Sequence, residues 1–78
     1  MKNDWIEESG YLTKEFLFQD FKEAFAFMIR VAFLAEELNH HPDWENSYNR
    51  LVVRLKTHDK QKVTDLDYEL AKRIDQIK

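Results

Sequence analysis

The segment from Asp20 to Asn39 most restricts how this chain can fold, because it has a helical pattern and is apolar on nearly every side. Asp20 is a good N-cap residue, Glu23 three positions later completes a capping-box pattern, and Pro42 ends the helix. A helix this apolar is expected to be covered on several sides, which in a chain of 78 residues suggests a partner subunit. The helical spacing predicts one core stripe of Phe21, Phe25, Met28, Ala32 and Ala35, and a second apolar stripe of Phe27, Val31 and Leu34.

The residues before this helix have the pattern of a hairpin. Residues 4–8 and 11–19 are predicted to be strands joined by a tight turn at Ser9-Gly10. Apolar and polar residues alternate along the second strand, and Lys14 interrupts that alternation. The predicted inner face of this strand carries Leu12, Phe16 and Phe18.

A second hairpin and a second helix follow. Residues 44–48 and 51–57 are predicted to be strands that turn at Asn49-Arg50, and Thr64 caps the final helix. The order ββαββα predicts one α+β domain over residues 1–78, with a four-stranded antiparallel sheet and both helices packed on one face. The inner face of the final helix is predicted to carry Leu66, Leu70, Ile74 and Ile77.

Composition excludes several classes of protein. The chain has no cysteine, so a disulfide framework and a thiolate zinc site are both excluded. Its formal net charge of -3 argues against direct binding of nucleic acid. The residues after Met1 lack the apolar core of a signal peptide, and no apolar run is long enough to span a membrane. We therefore expect a cytoplasmic protein with no membrane contact.

The three histidines lie at two predicted element ends. His40 and His41 fall where the long helix stops, and His58 falls where the fourth strand stops. Polar groups at such ends can converge on a ligand, and histidine exchanges protons near neutral pH. The pair His40-His41 fits a solvated helix end equally well. A three-histidine zinc site is disfavoured because adjacent histidines point in different directions, so no metal is expected.

Asp67 and Trp44 each have two interpretations. Asp67 could orient a histidine or substrate, but the capping box of the final helix is the favoured explanation. Trp44 could stack on a flat heterocycle, although a tryptophan at the start of a small hairpin is more often a packing anchor.

Residues 36–44, Glu-Glu-Leu-Asn-His-His-Pro-Asp-Trp, closely resemble the pterin-4a-carbinolamine dehydratase family. Tyr48, His58 and Asp67 follow at the family's spacing, and the aromatic-rich stretch from Phe18 to Phe33 is similar as well. The resemblance covers essentially the whole chain from Trp5 and agrees with the predicted fold.

The resemblance implies an enzyme that eliminates water from 4a-hydroxytetrahydropterin to give the quinonoid dihydropterin, without a cofactor. That substrate is left behind by aromatic amino acid hydroxylases. The implied partners are the pterin substrate and further copies of the chain, in a homodimer or homotetramer. The implied catalytic residues are His40, His41 and His58, with substrate-binding roles for Asn39, Pro42, Trp44, Thr57 and Asp59.

Three differences from the family bear on this expectation. Many members carry an extra helix before the first strand, whereas here only Met1 to Asp4 precede Trp5. Asn39 stands where members often have Asp, and Lys56 stands where some have a small hydroxyl residue. The alternative function is a non-catalytic binding or dimerisation partner, such as a transcriptional coactivator or an assembly factor.

Overall fold

Two hairpins, each followed by a helix, make up the protein in the predicted order ββαββα. The structure is a computed structural model and describes residues 4–77. Neither helix in this part of the chain is long and apolar enough to cross a membrane. The elements are β1 (Ile6–Glu8), β2 (Tyr11–Leu17), α1 (Phe21–Leu38), β3 (Asp43–Ser47), β4 (Arg50–Leu55) and α2 (Asp65–Asp75).

The four strands form one antiparallel sheet in the order β1-β2-β4-β3, which confirms the predicted fold class. The first turn lies at Ser9-Gly10 as predicted, and both residues take positive φ, 51° and 80°. The second turn lies at Tyr48-Asn49, one residue before the predicted position, because Tyr48 takes a φ of 53° and Arg50 already belongs to β4. Two strands differ from the prediction at one end: β1 begins at Ile6 and not at residue 4, and β4 ends at Leu55 and not at residue 57.

The hydrophobic core lies between one face of the sheet and the two helices. Lys14 also points to this covered face, because its register partner in β4 is the fully buried Val53. Its ammonium group donates a hydrogen bond to Asp75 Oδ1 at 2.9 Å and lies 5.0 Å from the centre of the Phe16 ring. The side chains of β2 therefore alternate between the two faces of the sheet without a break. The charge of the inward-facing Lys14 is paired with Asp75, the last residue of α2. The buried core consists of Leu12, Val31, Leu51, Val53, Leu55, Leu70, Ala71 and Ile74.

The predicted core stripe of α1 is wrong in part. The helix buries Ala24, Val31 and Ala35, while Phe21 and Phe25 are about half exposed. Small residues face the sheet because they let the helix backbone approach it closely, and the larger rings are left at the flanks and outside. In α2 the prediction holds for Leu70 and Ile74, which are fully buried, whereas Leu66 is partly exposed.

Candidate active site

The end of α1 separates the two adjacent histidines. Asn39 adopts the left-handed conformation (φ 51°, ψ 45°) that commonly terminates a helix, and the His40 amide donates to the Ala35 carbonyl at 3.0 Å. This turn directs the His40 side chain inward, leaving the residue 8% exposed. The His41 side chain points outward and is 55% exposed.

Asp67 joins His40 to the start of α2. It is fully buried, and one carboxylate oxygen lies 2.5 Å from His40 Nε2. The other oxygen accepts hydrogen bonds from the Thr57 hydroxyl and the Thr64 amide, each at 2.8 Å. The Thr57 oxygen lies 2.6 Å from the Thr64 hydroxyl, which must be the donor because the Thr57 proton is used on Asp67. Asp67 therefore caps α2 and holds a histidine at the same time, whereas the sequence favoured the cap alone.

His41 and Glu36 form a second histidine–carboxylate pair on the surface. Glu36 Oε2 lies 2.7 Å from His41 Nε2, and both side chains are more than half exposed. Glu36 lies in the last turn of α1, and its carboxylate extends past the end of the helix to His41. The sequence did not single out Glu36 for this role, because it lies five residues before His41, outside the i, i+3 and i, i+4 spacings that bring side chains together on a helix.

His58 lies in a closed turn beyond β4. Thr57 and Lys62 exchange backbone hydrogen bonds, and the side-chain amide of Gln61 donates to the His58 carbonyl at 2.6 Å. These bonds fix the backbone that carries the imidazole. Its Nε2 lies 3.7 Å from Asp43 Oδ2 at the start of β3, and both side chains are about half exposed.

All three histidines line one open cleft of about 370 Å³. Trp44 does not line it and packs instead against the hydrophobic core, in agreement with the packing-anchor interpretation. Asp43 and Leu66 line the cleft without having been singled out as site residues. The predicted residues brought together there are Asn39, His40, His41, Pro42, Thr57, His58 and Asp59.

A wider groove of about 590 Å³ runs between α1 and α2 and includes Arg30, Phe33 and Arg73. It contains no histidine, and two of its charged residues, Arg73 and Glu69, form an ion pair at 2.9 Å. The smaller cleft is the candidate active site because all three histidines, whose side chains transfer protons near neutral pH, line it.

Comparison with known proteins decides the family. The family model for pterin 4 alpha carbinolamine dehydratase matches residues 1–77. The chain belongs to the pterin-4a-carbinolamine dehydratase family. A relative from Prochlorococcus marinus is 51% identical over 74 residues, which cover 95% of this chain and 77% of the relative. One from Sinorhizobium medicae is 53% identical over 74 residues, covering 92% and 70%. Both relatives are named as pterin-4-alpha-carbinolamine dehydratases only provisionally.

Two solved structures share the fold. A Brucella melitensis protein described as a transcriptional coactivator/pterin dehydratase matches with a TM-score of 0.87 and 42% identity, covering 91% of this chain and 78% of its own. A pterin dehydratase-like protein identified as a RuBisCO assembly factor in the alpha-carboxysome matches with a TM-score of 0.79 and 24% identity, covering 92% and 86%. This second similarity is informative about the fold alone.

Proposed function

We propose that this protein is a dehydratase that eliminates water from a 4a-hydroxytetrahydropterin and releases the quinonoid dihydropterin. The observation that carries the proposal is the convergence of His40, His41 and His58 on one cleft, in a chain of this family. The reaction breaks the C4a–O bond and removes the N5 proton. It therefore needs a base for N5 and an acid for the departing hydroxyl, with no electron transferred to or from the substrate.

His40 suits the role of the base. One oxygen of Asp67 accepts hydrogen bonds from Thr57 and Thr64, and the other faces His40 Nε2. When Nε2 carries the ring proton and donates it to that oxygen, a lone pair remains on Nδ1. A neutral His40 can therefore accept the N5 proton at Nδ1, and Asp67 then stabilises the resulting imidazolium.

His58 suits the role of the acid. Its side chain is about half exposed, so it can regain a proton from water after each turnover. The Asp43 carboxylate, 3.7 Å from Nε2, restrains the ring at the mouth of the cleft. We assign His41 to binding and orientation of the pterin, because its ring is already held from the outside by Glu36. Asn39, Pro42, Thr57 and Asp59 then shape the pocket around the ring system.

A stopped-flow dehydration assay on single histidine variants tests these roles. We expect His40→Ala and His58→Ala each to lower kcat by roughly 10²–10⁴-fold, the usual worth of one proton-transfer group. His41→Ala is expected to raise KM more than it lowers kcat. Wild-type rates in both His40→Ala and His58→Ala would remove the basis of the proposal.

A binding function without catalysis is the second candidate. The Brucella melitensis relative is described as a transcriptional coactivator/pterin dehydratase, and the outer side of α1 exposes large apolar residues. Titration with oxidised dihydrobiopterin, followed by NMR, separates the two functions. Shifts of the resonances of all three histidines favour the enzyme, whereas no shift at millimolar ligand favours the binding function.

A further inference from the structure

The turn that carries His58 is rich in lysine. Residues 56–62 contain three lysines and one acidic residue, Asp59, although the whole chain has a net charge of -3. Within the described residues 4–77, none of the three lysines forms an ion pair. Two of them, Lys60 and Lys62, are exposed. The side of the cleft that bears His58 therefore carries positive charge that an anionic ligand can reach.

Lys56 stands where the cleft opens onto the outer face of the sheet, the face away from the helices. Leu55 before it is fully buried, so Lys56 points to the opposite side, and its ammonium lies 4.6 Å from the centre of the Tyr11 ring. Asp43 lies on that same outer face, since its register partner is Arg54, and it also lines the cleft. One wall of the cleft is therefore continuous with the surface that carries Lys56.

The acidic groups beside this wall leave the lysines available to a ligand. Of the two carboxylates that line the cleft in the described part of the chain, Asp43 lies 3.7 Å from His58 Nε2, and Asp59 remains to oppose the lysines. On the outer face of the sheet, Arg54 is neutralised by Glu45 at 3.1 Å. The cations free to bind an anion at this rim are therefore lysines and not the arginine.

Two differences from the family pattern change the charge of the cleft in the same direction. Asn39 places a neutral amide in the cleft lining where members often have Asp, and Lys56 places an ammonium at the rim where some have a small hydroxyl residue. Each replacement makes the site more attractive to an anion. The ligand of this chain is therefore expected to carry negative charge, which the pterin ring itself does not supply.

We propose that the pterin bound by this protein carries a phosphate monoester on its C6 substituent, held by Lys56 and Lys60 at the rim of the cleft. This inference rests on the proposed function. C6 is bonded to N5, so the substituent leaves the ring beside the reacting atoms and extends past His58, which lies between the two lysines in the chain. A phosphate monoester has nearly two negative charges at neutral pH, and two ammonium groups match that charge.

Two probes that differ only in the phosphate test this inference: 7,8-dihydroneopterin and its 3′-monophosphate, each titrated against the full chain by NMR. We expect the monophosphate to bind about tenfold more tightly at low salt, the worth of two exposed ion pairs. The ratio of the two Kd values should fall at about 0.5 M salt, because screening weakens exposed charge pairs.

Lysine variants locate the phosphate. Lys56→Ser is expected to lower the ratio of the two Kd values to about threefold, since one ion pair remains. Lys22→Ser is the matched control, because it removes the same charge from an exposed lysine about 25 Å along α1 from Asn39. It should leave the ratio as in the wild type.

Asn39→Asp tests the inner end of the cleft. Asp tolerates the positive φ of this position as Asn does, so the end of α1 should be kept, and the unfolding temperature checks this. The added carboxylate is expected to weaken binding of the monophosphate more than binding of the unphosphorylated probe, which lowers the ratio about twofold.

The outcomes separate this inference from the proposed function. Equal Kd values for the two probes in the wild type would overturn the inference and leave the dehydratase proposal intact. A preference for the monophosphate that survives in the double variant Lys56→Ser/Lys60→Ser would overturn it as well, because the phosphate would then be bound elsewhere. Failure of the wild type to bind either probe would contradict the inference and the proposed function together.

Discussion

On each side of the candidate cleft a histidine lies next to a carboxylate, but one pair is buried and the other is exposed to solvent. On the side built from the helices, His40 is nearly buried, and the Asp67 carboxylate next to it is fully buried and accepts two further hydrogen bonds. On the side built from β3 and the turn after β4, His58 and Asp43 are about half exposed and 3.7 Å apart.

This difference separates structural roles from catalytic ones. A buried carboxylate with several donors stabilises the fold as well as orienting its histidine, because each donor would otherwise lose its partner inside the protein. An exposed pair contributes little to stability, since water solvates either group when the other is removed. Variants of the helix side should therefore change stability and activity together, and variants of the strand side should change activity alone.

The largest effect is expected for Asp67→Ala. It leaves the Thr57 hydroxyl, the Thr64 amide and His40 Nε2 without their acceptor, and we expect the free energy of unfolding to fall by about 3 kcal/mol. Urea denaturation measures this change, and kcat should fall in the same variant. Asp67→Asn keeps one carbonyl oxygen and is expected to lose less stability. A loss below about 1 kcal/mol in Asp67→Ala would mean that both sides of the cleft depend equally little on their carboxylates.

Much of the local structure could be predicted from the sequence. The N-cap at Asp20, the capping box at Thr64 and the turn at Ser9-Gly10 depend on neighbouring residues, and each is present in the structure. The box predicted at Asp20 is incomplete, because the Glu23 side chain accepts from the Gln19 amide. Alternation of apolar residues predicted four strands, and the hairpin connections made the sheet antiparallel.

Contacts between distant segments could not be predicted in the same way. The capping position of Asp67 was visible, but its contact with His40 joins residues 27 positions apart and depends on how α2 packs on α1. The side of α1 that faces the core was predicted only in part, because apolar residues surround the helix and periodicity alone does not choose among them. Lys14 was predicted to interrupt the alternation of apolar and polar residues in β2, because its partner Asp75 lies 61 residues further along the chain.

Trp44→Ala tests whether the Trp44 ring belongs to the hydrophobic core or to the strand side of the cleft. Trp44 packs against the core and follows Asp43 directly, so the two side chains leave β3 on opposite faces. We expect a loss of about 2 kcal/mol in the free energy of unfolding, less than for a fully buried tryptophan, with KM for the pterin nearly unchanged. Trp44→Phe serves as the control that retains an aromatic ring. A stable Trp44→Ala protein with a strongly raised KM would show that the ring stacks on the substrate.

Thr57→Val removes two hydrogen bonds on the helix side. The variant keeps the shape of the side chain and removes the hydroxyl that donates to Asp67 at 2.8 Å and accepts from the Thr64 hydroxyl at 2.6 Å. We expect the free energy of unfolding to fall by about 1 to 2 kcal/mol, the usual net worth of two such bonds. Thr57→Ser retains the hydroxyl and should lose less. A Ser variant that loses more stability than Val would show that the methyl group, and not the hydrogen bonds, is what Thr57 contributes.

The smallest change in stability is expected for Asp43→Asn on the strand side. The pair with His58 is exposed on both members, so removing the charge should change the free energy of unfolding by less than about 0.5 kcal/mol. Activity should respond more than stability, because the variant frees His58 at the mouth of the cleft, and kcat is expected to fall a few-fold. Measuring both quantities on one preparation makes the comparison with Asp67→Ala direct. An unchanged kcat would show that His58 functions without the Asp43 carboxylate. A large loss of stability would show that the strand side depends on its carboxylate as much as the helix side does.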